Sequence, residues 1–260
     1  MKIKWLLLTA GILVVAGFYL SDRIADDPEY LSSGAADAGT MAASTLISFE
    51  QYEAAAACAD LASTVVPDNP DLLRVKGKAL SAQGRYDEAV VCYDMALTTG
   101  EGDAATLSEK GKALMKAGDF EGAIAASTNA LALAPADLPA LQTAGASSLL
   151  LGRYDEAVGY YDHLVQIRPD DAAAWVQKGD ALLYISLQEE QQMKDAFRDI
   201  TGMAGGSSFN PNPNAYMDAM ECFNHAIALD PKTAPLLATR LVARSELTVQ
   251  TCEDIVKNLG

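Results

Sequence analysis

The chain has 260 residues, half of them hydrophobic but only 7% aromatic, and a formal net charge of -16. That length allows one or two globular domains or one short run of repeats, and abundant alanine with few aromatics suits closely packed helices better than sheets. The acidic balance argues against holding nucleic-acid phosphates through the general field, so no nucleic-acid partner is expected.

The first segment, residues 1–21, stands apart from the rest. Lys2 and Lys4 precede an uncharged run from Trp5 to Leu20, and Asp22 closes it. At 1.5 Å per residue the run spans about 24 Å, against a hydrocarbon core of about 30 Å. Lysine snorkelling and the boundary residues Trp5 and Tyr19 extend that reach. The favoured reading is an uncleaved membrane anchor. The competing one is a cleaved signal peptide, for which Val14-Val15-Ala16 is a poor cleavage site. Under either reading, lysines before the run and acidic residues after it place the remainder outside the cytoplasm. Residues 22–39, rich in Ala, Asp, Ser and Gly, read as a flexible spacer.

From residue 40 onward the chain is periodic. Tyr52, Tyr86, Phe120 and Tyr154 are 34 residues apart, and Ala55, Ala89, Ala123 and Ala157 follow each by three. Gly77, Gly111, Gly145 and Gly179 keep the same step, as do Pro135 and Pro169. Within a period, Leu73, Gly77 and Leu80 make one helix face, Gly84-Arg85 breaks the chain, and Tyr86, Ala89, Tyr93 and Ala96 make a second. Each period is therefore a helix, a turn and a helix, and none can bury both faces alone. The repeats are expected at 36–69, 70–103, 104–137, 138–171 and 172–233, the first being a divergent cap. The last is interrupted, since its second-helix pattern resumes at Tyr216, 62 residues after Tyr154. Subtracting one period leaves a 28-residue insertion, placed at 186–213. Met193, Phe197 and Ile200 recur there at helical spacing, so residues 187–201 are expected to extend the preceding helix and residues 202–213 to return flexibly. That apolar face is a candidate recognition element. Residues 234–260 read as C-terminal capping helices.

These positions resemble the tetratricopeptide repeat (TPR), a 34-residue helical hairpin. The fullest match is Leu141, Gly145, Gly152, Tyr154, Ala157, Tyr161 and Pro169, and the hexapeptide at 84–89 is repeated at 152–157. The resemblance covers roughly residues 36 to 233. Glu101 stands where the family usually has proline, Ser127 where it has an aromatic residue, and Leu164 where it has alanine. It implies an all-α, right-handed alpha-solenoid of about five units, preceded by the transmembrane or signal segment. It also implies that first helices line a concave groove that binds peptides. The residues then facing the groove are Arg74, Lys78, Ser108 and Lys112 in one half, and Gln142, Ala146, Leu149, Val176, Asp180 and Leu183 in the other. One half reads as basic and the other as apolar. Lys76, Lys110 and Lys178 lie nearby, their stems packed and their charges reaching water.

Sites for chemistry are sparse. Cys58, Cys92 and Cys222 occupy one repeat position, too far apart for disulfides if helices pack at about 8–10 Å, so free buried thiols are expected. His163 and His225 belong to no paired-histidine motif, and the sequence holds no phosphate loop or nucleophile elbow. No catalytic, cofactor or metal site is expected. The function that follows is a non-catalytic scaffold for a protein or peptide partner, an acidic segment fitting the basic half. The alternatives are an accessory subunit of an enzyme or assembly complex, and a secreted repeat protein that self-associates.

Overall fold

The structure, a computed structural model, describes residues 28–100, 103–201, 213–235 and 237. The described residues contain no strand and form ten α-helices. They are α1 (Pro28–Ser48), α2 (Tyr52–Ser63), α3 (Pro70–Ala82), α4 (Tyr86–Thr99) and α5 (Ala104–Ala117). There follow α6 (Phe120–Leu133), α7 (Leu138–Leu150), α8 (Tyr154–Ile167), α9 (Ala172–Thr201) and α10 (Pro213–Leu229).

The start and stop of the first helix in repeats two to four are written at the repeat period. Asn69, Asp103 and Asp137 accept hydrogen bonds from the backbone N–H of Leu72, Thr106 and Ala140, capping α3, α5 and α7. Asp171 does the same for Ala173 and Ala174 at the start of α9. Each cap satisfies an amide that a helix N-terminus leaves unpaired, and the carboxylates also sit favourably at the positive end of the helix dipole. At the other end, Gly84, Gly118 and Gly152 turn the chain with positive φ of 80°, 93° and 73°. Glycine enters this left-handed region without the steric cost of a Cβ. The next step of 34 lands on Ser186, and there the helix does not stop: α9 runs on to Thr201. The helical extension read from the spacing of Met193, Phe197 and Ile200 is thus present in the backbone. Their side chains and residues 202–212 lie outside the described residues.

The chain divides into two compact units, residues 1–135 and 136–260. In the first, α1 to α6 pack each against the next, and α1 also reaches α3. In the second, α7 packs on α8, α8 on α9 and α9 on α10. Consecutive helix pairing is what a row of hairpins with one apolar stripe per helix must adopt to bury those stripes. The cores are built from small residues facing large ones. Ala55, Ala89, Ala123, Ala157 and Ala219 are fully buried. A Cβ on Gly77 would stand 2.7 Å from the Tyr93 ring, and one on Gly145 2.7 Å from the Tyr161 ring. In the third repeat Ser127 replaces the aromatic residue, and the Cβ of Gly111 would meet its hydroxyl instead.

One expectation is overturned here. Residues 28–39 are not a spacer but the first half of α1. Ala36 and Ala43 are buried, and a Cβ on Gly39 would press on Ala62 and Leu72. Small residues that resemble linker composition instead allow α1 to lie close to its neighbours. Residues 1–27 and 238–260, which include the expected anchor and most of the expected C-terminal caps, lie outside the described residues. Leu237 is described, and it is buried against Val176, Leu183 and Phe223. Among the described residues no helix is long and apolar enough to cross a membrane.

Gly159, inside α8, has nothing within 4 Å of where a Cβ would be. Gly159→Ala is therefore expected to raise stability by about 0.5–1 kcal/mol, the helix-propensity difference, read as a higher midpoint in urea.

Candidate functional site

The first helices of the N-terminal unit place Arg74 and Lys78 on α3, and Ser108 and Lys112 on α5. The i to i+4 spacing puts each pair on one helix face. Lys78 and Lys112 share a single carboxylate, Glu109, at 3.9 and 3.8 Å, and Arg74 pairs with Asp71 at 2.9 Å. The side chains of Lys78 and Lys112 remain 35% and 42% exposed. Three cations therefore meet two carboxylates along this strip. The contacts of Glu109 are at the outer limit of an ion pair, and half-exposed pairs of this kind are worth only about 0–1 kcal/mol each. Neither carboxylate was singled out from the sequence. The signal was the i, i+3 spacing of Asp71 with Arg74 and of Glu109 with Lys112.

Three of the expected groove residues are packed rather than offered. Ser108 is 3% exposed, Val176 6% and Leu183 3%. Val176 and Leu183 belong to a core with Ala219, Phe223, Ala226 and Leu237, because the segment after α10 returns over this part of α9. These three have no surface to give a partner in this structure. Gln142 is exposed, while Ala146, Leu149 and Asp180 are half-buried. Nothing brings these residues into one apolar patch among the described side chains.

The second set of lysines is tied down as well. Lys76 bonds Asp60 at 2.5 Å, Lys110 bonds Asp94 at 2.5 Å, and Lys178 bonds Asp162 at 2.7 Å. Each pair joins a second helix to the first helix of the following repeat. The Asp60 hydrogen bond raises the pKa of Lys76 against the lowering effect of burial. For Lys178 burial is the largest influence and lowers the pKa, but the Asp162 hydrogen bond, with the charges of Asp162 and Asp218 nearby, leaves it raised overall. One more step of 34 from Asp94 and Lys110 leads to Thr128 and Ala144, so both partners change together.

The chemistry of the thiols is muted. Cys58, Cys92 and Cys222 are free, and burial raises each above the ordinary thiol pKa, which disfavours the nucleophilic thiolate. Cys252 lies outside the described residues. Among the described residues no group of three or more His, Cys, Asp or Glu could hold a metal ion.

Comparison with known proteins agrees with the helical hairpins. Two family models described as tetratricopeptide repeat match residues 40–104 and 114–183, together just over half of the chain. YrrB, described as a TPR protein with an unusual peptide-binding site, superposes with a TM-score of 0.58 at 20% identity, covering 78% of this chain and 90% of its own. MamA superposes with a TM-score of 0.57 at 18% identity, covering 74% of this chain and 96% of its own. The 41-end form of MamA from Desulfovibrio magneticus RS-1 gives 0.59 at 17% identity, covering 76% and 96%. At these identities the likeness is one of fold. No curated protein sequence matches the chain. With the period of 34, the buried glycine–tyrosine contacts and both family matches in agreement, the chain belongs to the tetratricopeptide repeat family.

Proposed function

We propose that this chain is a non-catalytic protein-interaction scaffold that holds an extended acidic partner segment along the first helices of its N-terminal repeats. The observation that supports this most is the α3–α5 strip, in which Lys78 and Lys112 share Glu109 through loose contacts beside Arg74. A partner carboxylate can displace Glu109 at little cost and satisfy two half-exposed ammonium groups at once. Tethering belongs to the same proposal. Residues 1–21 anchor the chain to a membrane and the repeats face away from the cytoplasm, a reading supported by Lys2, Lys4 and the uncharged run from Trp5 to Leu20.

Arg74→Glu combined with Lys112→Glu is expected to weaken binding of a glutamate-rich peptide about tenfold or more, measured by titration calorimetry, with an unchanged helical melt. Equal affinity in the variant would remove the strip from the proposal. Tethering is checked separately: the full chain should stay with membranes in alkaline carbonate, and its release would count against the anchor.

A further inference from the structure

We propose that the last repeat carries a second recognition site of opposite preference, a cleft that accepts an arginine side chain from a basic partner segment. The cleft lies within the C-terminal unit, among α8, α9 and α10, and has a volume of about 500 Å³. Its aromatic wall is Trp175 of α9 and His225 of α10, with ring centroids 4.4 Å apart and planes tilted by 59°. The indole N–H donates to the Pro169 carbonyl at 2.9 Å, which fixes the orientation of the larger ring. Asp162, Asp218 and Glu221 also line the cleft, with Lys178 among them.

The chain's own lysine already displays the recognition chemistry. The Lys178 ammonium stands 5.5 Å from the centre of the Trp175 ring and 2.7 Å from Asp162. That engages one carboxylate. Asp218 and Glu221, three residues apart on one face of α10, are exposed and take part in no ion pair among the described residues. Two carboxylates beside a held aromatic wall match a guanidinium better than an ammonium. The guanidinium is planar, stacks on aromatic faces, offers a fork of donors and is weakly hydrated.

Comparison between repeats shows that the hairpin itself does not require Glu221 or Trp175, although an acid recurs at the place of Asp218, as Glu88 and Glu156. At the place of Glu221 the other repeats carry Ala57, Val91, Ala125 and Gly159. At the place of Trp175 repeats two to four carry Leu73, Leu107 and Leu141. Packing is satisfied there by small or aliphatic side chains. The acid and the indole occur together in the last repeat alone, where they open on the same cleft.

Trp5 and Trp175 are the only tryptophans in the sequence, so the full chain carrying Trp5→Phe, kept in a non-ionic detergent, reports on Trp175 through its fluorescence. The probe is a hexapeptide of alternating arginine and glycine, with its glutamate counterpart as control. Saturable change with the arginine peptide and none with the glutamate peptide is expected. Asp218→Asn with Glu221→Gln should weaken the arginine peptide about tenfold or more without moving the melt. Glu53→Gln with Asp87→Asn, which removes the same charge from the N-terminal unit, should change it little. No saturable response would overturn the site, as would equal affinity in the Asp218/Glu221 variant. Equal weakening by both pairs would overturn it too, since the general field of an acidic protein would then account for the binding.

Discussion

Tyr161→Ala is expected to lower stability by about 3–5 kcal/mol, as for other large aromatic truncations, whereas Tyr161→Phe leaves it unchanged or slightly raised. The ring is fully buried, and the bare backbone of Gly145 lies directly against it. Truncation therefore opens a cavity between α7 and α8, and Gly145 facing it has no side chain with which to fill it. The hydroxyl behaves differently. It is buried with no hydrogen-bond partner among the described residues, and burial pushes the phenol pKa well above its ordinary value. Removing it deletes a desolvated polar atom and no interaction. Urea melts followed by circular dichroism read both variants, and a Phe variant as damaged as the Ala variant would show that the hydroxyl has a partner after all.

The mirror image of that experiment fills space instead of emptying it. Gly77→Val is expected to cost about 2–3 kcal/mol in the same melt, the upper part of the range for overpacking. A Cβ there would stand 2.7, 2.9 and 3.0 Å from three atoms of the Tyr93 ring, which is itself fully buried and cannot swing away. Valine adds two methyl groups to a contact already too short for one. Its branched side chain also recovers less helix propensity than alanine would. An unchanged midpoint would mean that α3 and α4 can separate without loss, contrary to the close approach that glycine permits.

Only half of each contact is legible in the sequence. Glycine at a fixed step of 34 permits two helices to approach closely, but the spacing does not say that the tyrosine lies against it within the same hairpin instead of filling a gap between repeats. The caps belong to the same class. Asn69, Asp103, Asp137 and Asp171 share one place in the period, as do Gly84, Gly118 and Gly152; the glycines mark a break by composition alone, whereas the caps show only once the helix starts are in place. α9 runs through Ser186, which stands at the step of Gly84, Gly118 and Gly152; lack of glycine does not by itself force this, since Glu50 at the same step turns the chain with a φ of 58°.

Surface roles were far less legible. Arg74, Lys78 and Lys112 were correctly placed on first helices by register alone, but the register is silent on whether a cation has a partner. Asp71 and Glu109 moderate the strip, and the aspartates at 60, 94 and 162 hold the other lysines from sixteen residues upstream. Ser108, Val176 and Leu183 failed as groove residues for a related reason. Exposure depends on what packs over a position, and Leu237 closes over Val176 and Leu183 from beyond α10.

By itself, then, the sequence determined the repeat, the glycine turns and the close approach of paired helices, because these depend on backbone geometry and on neighbours within one period. Only the tertiary structure decided which charges are already paired, which apolar residues are covered, and that Trp175, His225, Asp218 and Glu221 open on one cleft. The lysine–aspartate pairs depend on packing between hairpins, and the cleft and the covered residues on how α9 and α10 meet in the interrupted last repeat. In both, a side chain's partner is set by the helix lying against it, and no local pattern records it.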